Sequence, residues 1–151
     1  MKSSRSGIFE ALAGWPVWVA ALWWGSLTTL AFAVVPLLFL HLPSKSLAGN
    51  TAATMFGIQA LASVLFGVAL LLASNARGAN AYSARAQSAR AAVLAGMLLA
   101  LLVEFAVAPR IVARQNLALW HAVGSLMLLV QWLCAGISFW VLVRPAGKPQ
   151  V

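Results

Sequence analysis

The sequence holds two acidic side chains, Glu10 and Glu104, and the second stands inside the apolar run LLVEFAVAPRIVARQNLALWHAVG at residues 101–124. A carboxylate at membrane depth is costly, so it normally faces a bundle interior or an aqueous cavity and has a partner there. Arg110 and His121 are the candidate partners. Glu104 precedes Arg110 by six residues and His121 follows Leu117 by four. At a rise of about 1.5 Å per residue, Glu104 and His121 then reach nearly equal depth on antiparallel neighbouring helices. A Glu104 to His121 hydrogen bond is expected, with Arg110 as a second partner at the rim. Such a pair titrates as one unit and could hold or pass a proton. The structural alternative is a polar clasp between helices, worth about 1–2 kcal/mol at most. The residue types leave both open.

His41 and His121 could instead serve as axial ligands of a haem or bind a metal, as histidines do in helical bundles. Neither belongs to a spaced His/Cys/Met motif, and Met55, Met97 and Met127 stand singly in separate apolar runs. The one cysteine, Cys134, lies deep in another, which excludes an internal disulfide and a cysteine metal cluster. No resident cofactor and no metal are therefore expected, with haem on His41 and His121 as the alternative. No nucleophile and base pair, phosphate loop or carboxylate dyad is present, so an enzyme is not the expectation. Asn50, Ser125 and Gln131 are secondary polar candidates.

The elements that position these residues follow from composition. The chain of 151 residues is 63% hydrophobic and 8% charged, with mean hydropathy +0.94, whereas soluble domains carry roughly a quarter charged residues. An all-α integral membrane bundle of four antiparallel, up-down helices is expected, one domain over residues 1–151 with spans near 15–42, 51–73, 91–109 and 117–143. The net charge of +8 comes from Lys and Arg at the ends of the apolar runs, where topology and anionic lipid account for it. The lipid bilayer is the expected partner and nucleic acid is not.

In chain order, Trp15, Trp18, Trp23 and Trp24 suggest an interfacial aromatic belt. The apolar stretch continues through Val34 to Leu40, too long for the core of a cleavable signal despite Ala31-Phe32-Ala33. Pro36 should kink the first helix and free the carbonyl of Phe32. Gly25, Thr29 and Ala33 form a small-residue stripe for close packing, as do Ser63 and Gly67 in the second run. Gly49 is a further packing candidate. Residues 74–90, SNARGANAYSARAQSAR, read as a polar loop that continues helically. In the third run Gly96, Ala100, Glu104 and Ala108 recur every four residues, which places Glu104 on a small-residue face against the fourth span. Pro109 should end that span. In the fourth run His121, Gly124, Leu128, Gln131, Ala135 and Ser138 alternate steps of three and four, forming a packing seam. Seven Lys and Arg (Lys2, Arg5, Arg77, Arg85, Arg90, Arg144, Lys148) fall on the side of the N-terminus and three (Lys45, Arg110, Arg114) on the other. Both termini are therefore expected in the cytoplasm of a bacterium, with the chain in its inner membrane and the polar site near the periplasmic face.

The segments WWGSLTTLAFAVVPLLFLHLPSKSLAG, EFAVAPRI and LWHAVGS resemble the three signatures of the transmembrane-protein-205-like family, a bacterial and eukaryotic domain of unknown function. The resemblance covers about residues 15–142 and rests on Trp24, Gly25, Pro36, Phe39, Ala48, Gly49, Glu104, Pro109, Arg110, His121 and Ser125. Leu119-Trp120-His121 departs from it, since the family tends to place Leu directly before His. The resemblance implies a four-helix integral membrane protein; the eukaryotic relatives are linked to platinum-drug resistance. A more distant similarity to copper-resistance and haem-binding four-helix membrane domains accompanies it. Passage of a small solute or ion, or a structural and assembly role in the membrane, are the expected functions. A conducting form would require self-association through the small-residue stripes, because four spans enclose little volume.

Overall fold

The computed structural model describes residues 3–76 and 84–144; Lys2, Arg77 and Lys148 of the charge argument lie outside them. Helix α1 (Ser3–Thr29) passes through a π-helical segment, Leu30–Val34, into α2 (Val35–His41). Helix α3 (Lys45–Ala76) returns, α4 (Ala84–Leu102) continues through a second π segment, Val103–Val107, into α5 (Ala108–Val112), and α6 (Leu117–Val143) completes the bundle. Among the described residues four stretches are long and apolar enough to cross a membrane: Gly14–His41, Lys45–Asn75, Gln87–Val112 and Leu117–Val143. They are called the first to fourth spans below. α1 packs on α3 and α6, and α4 packs on the same two, so neighbours in the ring run antiparallel and the start of α1 and the end of α6 share one side. This is the all-α four-helix membrane bundle that composition implied.

The ends of the elements depart from the expected ones for local reasons. The second helix begins at Lys45, earlier than the apolar run, because the Ser44 hydroxyl accepts the Leu47 N–H at 3.2 Å and the Ser44 carbonyl accepts that of Ala48. That satisfies donors a helix start leaves bare. Pro109 does not end the third span; the helix runs on to Val112. Each interior proline of the far half follows a π segment by two residues, Pro36 after Val34 and Pro109 after Val107. In each segment the closing bond is shifted by one residue, Val35 N–H to Leu30 O and Ala108 N–H to Val103 O. The longer turn lets the chain absorb a residue that has no N–H without breaking the rod.

The half of the bundle nearer the termini is solid. Ala20, Trp23, Leu27, Leu70, Val93 and Ala135 form one buried cluster, with Trp23 fully enclosed. Its ring reaches across the ring of helices to Gly96, where a Cβ would stand 2.8 Å from Cη2 and 2.9 Å from Cζ2. Trp24 stacks on Phe139 at 5.8 Å and leans on Trp132 at 5.7 Å, and Gly136 leaves the space its Nε1 occupies. Gly67 likewise receives the Met97 side chain. The expected tryptophan belt is thus half right in position: Trp15 and Trp18 are exposed, whereas Trp23 and Trp24 build the core. Arg90 ties the third span to the end of the second, donating to the Ser74 hydroxyl and carbonyl and to Asn75 Oδ1 at 3.0–3.2 Å. The guanidinium of Arg144 covers Trp140 at 4.4 Å.

The stripe Gly25, Thr29, Ala33 is not a packing surface within the bundle. Thr29 and Ala33 are exposed, and nothing lies within 4 Å of a Cβ built on Gly25 or on Gly49. Ala100, Gly96 and Gly124 do sit at helix contacts; a Cβ on Gly124 would meet Val107 at 3.3 Å.

Candidate functional site: a cavity in the far half of the bundle

Between the solid half and the far end lies a layer of buried amides and hydroxyls. Gln59 Nε2 donates to Ser26 Oγ at 3.0 Å and to Ser63 Oγ at 3.4 Å, and Gln131 Nε2 donates to Ser63 Oγ at 2.9 Å. Ser26 passes its own proton to the Trp23 carbonyl. Three spans are joined in this way. Beside the layer Trp132 Nε1 donates to Thr28 Oγ1 at 2.8 Å, and Thr28 donates to the Trp24 carbonyl.

Beyond that layer the packing gives way to a cavity of about 450 Å³ lined by all four spans. Its walls come from both π segments, through Ala31 and Phe32 on one side and Val103, Glu104 and Val107 on the other. Phe39, Phe56, Leu128 and Trp132 add to an apolar interior, and His121 and Ser125 supply further polar groups. The lining reaches no closer to the termini than Ala31, Phe56, Val103 and Trp132, so the cavity ends blindly on the amide layer and the core beneath it.

Glu104 is half-buried, and its two carboxylate oxygens each lie 3.4 Å from where Gly57 would carry a Cβ. The carboxylate is therefore seated against the bare backbone of the second span. The even four-residue spacing of the third run placed it against the fourth. Glu104 falls within the π segment Val103–Val107, whereas Gly96 and Ala100 lie on the α-helix before it. Glu104 and His121 share the cavity, yet no hydrogen bond or ion pair joins them, and neither has such a partner among the described residues. The expected clasp is not formed there. Its structural work is done one layer down, by Gln131, Ser63, Gln59 and Ser26.

Arg110 stands apart from Glu104. It is exposed, its guanidinium lies over Trp120 at 4.5 Å, and Nη1 donates to the Ala106 carbonyl of its own helix. Ser125 lines the cavity and Gln131 lies in the amide layer, while Asn50 and His41 are exposed and are not among the lining residues. Of the two histidines, His121 lines the cavity and His41 does not. No group of three or more His, Cys, Asp or Glu gathers among the described residues. Gly57 and Gln59 were missed in the sequence. Gln59 was legible by the rule that singled out Glu104, as a polar side chain inside an apolar run. Gly57 carried no such signal, since its role depends on a neighbour from another span, Glu104.

The profile of a domain of unknown function, DUF4149, matches residues 18–119, more than half of the chain. No curated protein and no solved structure matches the chain.

Proposed function

The chain belongs to the DUF4149 family of domains of unknown function, and from that premise we propose that it is a membrane-embedded binding domain for a small solute or ion, with Glu104 as the recognising group. The observation that carries this reading is a carboxylate at membrane depth on a cavity wall with no hydrogen-bond or ion-pair partner among the described residues. A purely structural carboxylate would recover its cost through a bond to the neighbouring helix. Here the buried amide layer already links the helices, and Glu104 is left facing space sized for a ligand. A carboxylate in such a place holds either a proton or a cation. Because the cavity is blind, passage through a single bundle requires a second conformation that opens the half near the termini. The reading is therefore of a binder or an alternating carrier, and an open pore is not favoured.

The finer resemblance to the transmembrane-protein-205-like family supports the same site. Of the residues that carry it, Phe39, Gly49, Glu104, His121 and Ser125 line the cavity. We place the protein in a bacterial inner membrane with the termini in the cytoplasm, so the cavity belongs to the periplasmic half. A reporter active only in the periplasm should be silent when fused after Val151 and active at Ser46. The reverse result would move the site to the other face of the membrane.

The site itself is tested with dicyclohexylcarbodiimide, an apolar reagent that couples to carboxyl groups. Glu104 of protein in mild detergent should acquire one adduct, seen by intact mass and peptide mapping, and Glu104→Gln should acquire none at that peptide. Glu104→Gln should unfold within a few degrees of the wild type and should lose pH-dependent flux in proteoliposomes. A Glu104 that stays unlabelled in the folded protein, together with unchanged flux in Glu104→Gln, would return the residue to a structural role.

A further inference from the structure

We propose that the cavity takes a lipophilic cation, and that this ligand enters from the bilayer through the seam between the first and fourth spans, past Phe32 and Trp132. The inference rests on Glu104 being the recognising group and adds the ligand class and the route. Two observations set the class. Phe32, Phe39, Phe56 and Trp132 give the cavity aromatic walls, which suit an apolar body and also attract positive charge through their faces. Glu104 supplies the carboxylate, and Arg110, the arginine expected to neutralise it, is held by Trp120 and by the backbone of its own span instead. An anion would meet an unneutralised carboxylate, and a small hydrated ion would have to shed its water against apolar walls. A cation with an apolar shell meets neither cost.

The route follows from exposure. Phe32 lines the cavity and is still 61% exposed, at a depth where the outside is lipid. It stands edge-on to Trp132, with ring centroids 5.8 Å apart and planes at 79°, so one aromatic contact closes the first span against the fourth at that height. Leu129, on the same side of the fourth span as the cavity, is also exposed. Phe32 sits within the π segment Leu30–Val34, where the regular α-helical ladder of the first span is interrupted, and π segments recur at functional sites.

The experiment compares two ions of equal size and shape but opposite charge, tetraphenylphosphonium and tetraphenylborate, on wild-type protein in lipid nanodiscs. Tetraphenylphosphonium should protect Glu104 from the carbodiimide and bind at one site per chain, and tetraphenylborate at the same concentration should do neither. Glu104→Gln should weaken phosphonium binding about tenfold or more. Phe32→Ala should speed both entry and release of phosphonium several-fold, so that the two rates change more than the affinity does. Carbodiimide labelling of Glu104 that neither ion affects would overturn the ligand class and leave the binding site standing; absence of labelling would overturn both. Equal protection by the two ions would show that charge is not read. Unchanged release from Phe32→Ala would overturn the route.

Discussion

Trp23→Ala should be the most damaging single substitution in this protein, lowering stability in detergent or lipid by about 3 kcal/mol. Trp23 is fully enclosed at the centre of the solid half. In a membrane the usual water-to-core transfer is nearly absent, because lipid is as apolar as the core. What remains is the void, and roughly 140 Å³ at ~24 cal/mol per Å³ gives that figure. The complementary change at the socket should also cost. A Cβ on Gly96 would stand 2.8 Å from the indole, and the enclosed ring has nowhere to go, so Gly96→Ala should lose about 1–3 kcal/mol. The atoms met are those of the six-membered part of the indole. Trp23→Phe, which shortens the ring, should therefore relieve Gly96→Ala, and the double variant should lose clearly less than the two single losses together. Strictly additive losses in thermal unfolding would show that the ring and the glycine do not share that space. Gly25→Ala and Gly49→Ala, with nothing within 4 Å of the added carbon, are the controls and should leave stability unchanged.

Ser63→Ala should be the costliest change in the buried polar layer, about 1–2 kcal/mol. The hydroxyl is fully buried and accepts from Gln131 at 2.9 Å and from Gln59 at 3.4 Å. Removing it leaves the Gln131 amide without that acceptor in an apolar surround, and an orphaned buried donor costs more than the bond it lost. Gln59 keeps Ser26, which holds the estimate below the sum for two orphans. Gln131→Leu removes the donor instead and should cost less, and adding it to Ser63→Ala should recover part of the loss. The measurement is unfolding by titrated ionic detergent, followed by far-UV circular dichroism. A neutral Ser63→Ala would mean that these amides find other partners inside the bundle.

The fold was legible because apolar runs of spanning length, broken by Lys, Arg and Pro, leave little freedom in a bilayer. What the sequence could not place was rotation about each helix. Glu104 and His121 line one cavity, as their numbering implies, and a π turn interrupts the regular helical turn in the third and in the first span. Glu104 meets Gly57 and makes no hydrogen bond to His121. Tryptophan was misleading for a related reason. Trp15, Trp18, Trp23 and Trp24 all suit an interface by type, and only the presence of Gly96 and Gly136 on other helices decides that two of them turn inward. Such sockets are legible in pairs and silent singly. Gln59 and Ser63 were readable as polar residues in an apolar run, and their partners Ser26 and Gln131 as well, but nothing in the spacing joins residues 68 positions apart.

The fourth span carries a tryptophan toward each end, each covered by an arginine, Trp120 by Arg110 of the third span and Trp140 by Arg144. Twenty residues separate the two rings, which is about 30 Å of helix, the thickness of an average hydrocarbon layer. The pairs act as a gauge block fixed to the bundle. In a thicker membrane lipid must compress to meet it, and in a thinner one the helix must lean. Strain from leaning should be taken up in the hollow end, where packing is looser, before the solid end. If Phe32 and Trp132 close the proposed seam, the local thickness of the bilayer should bear on it without any ligand.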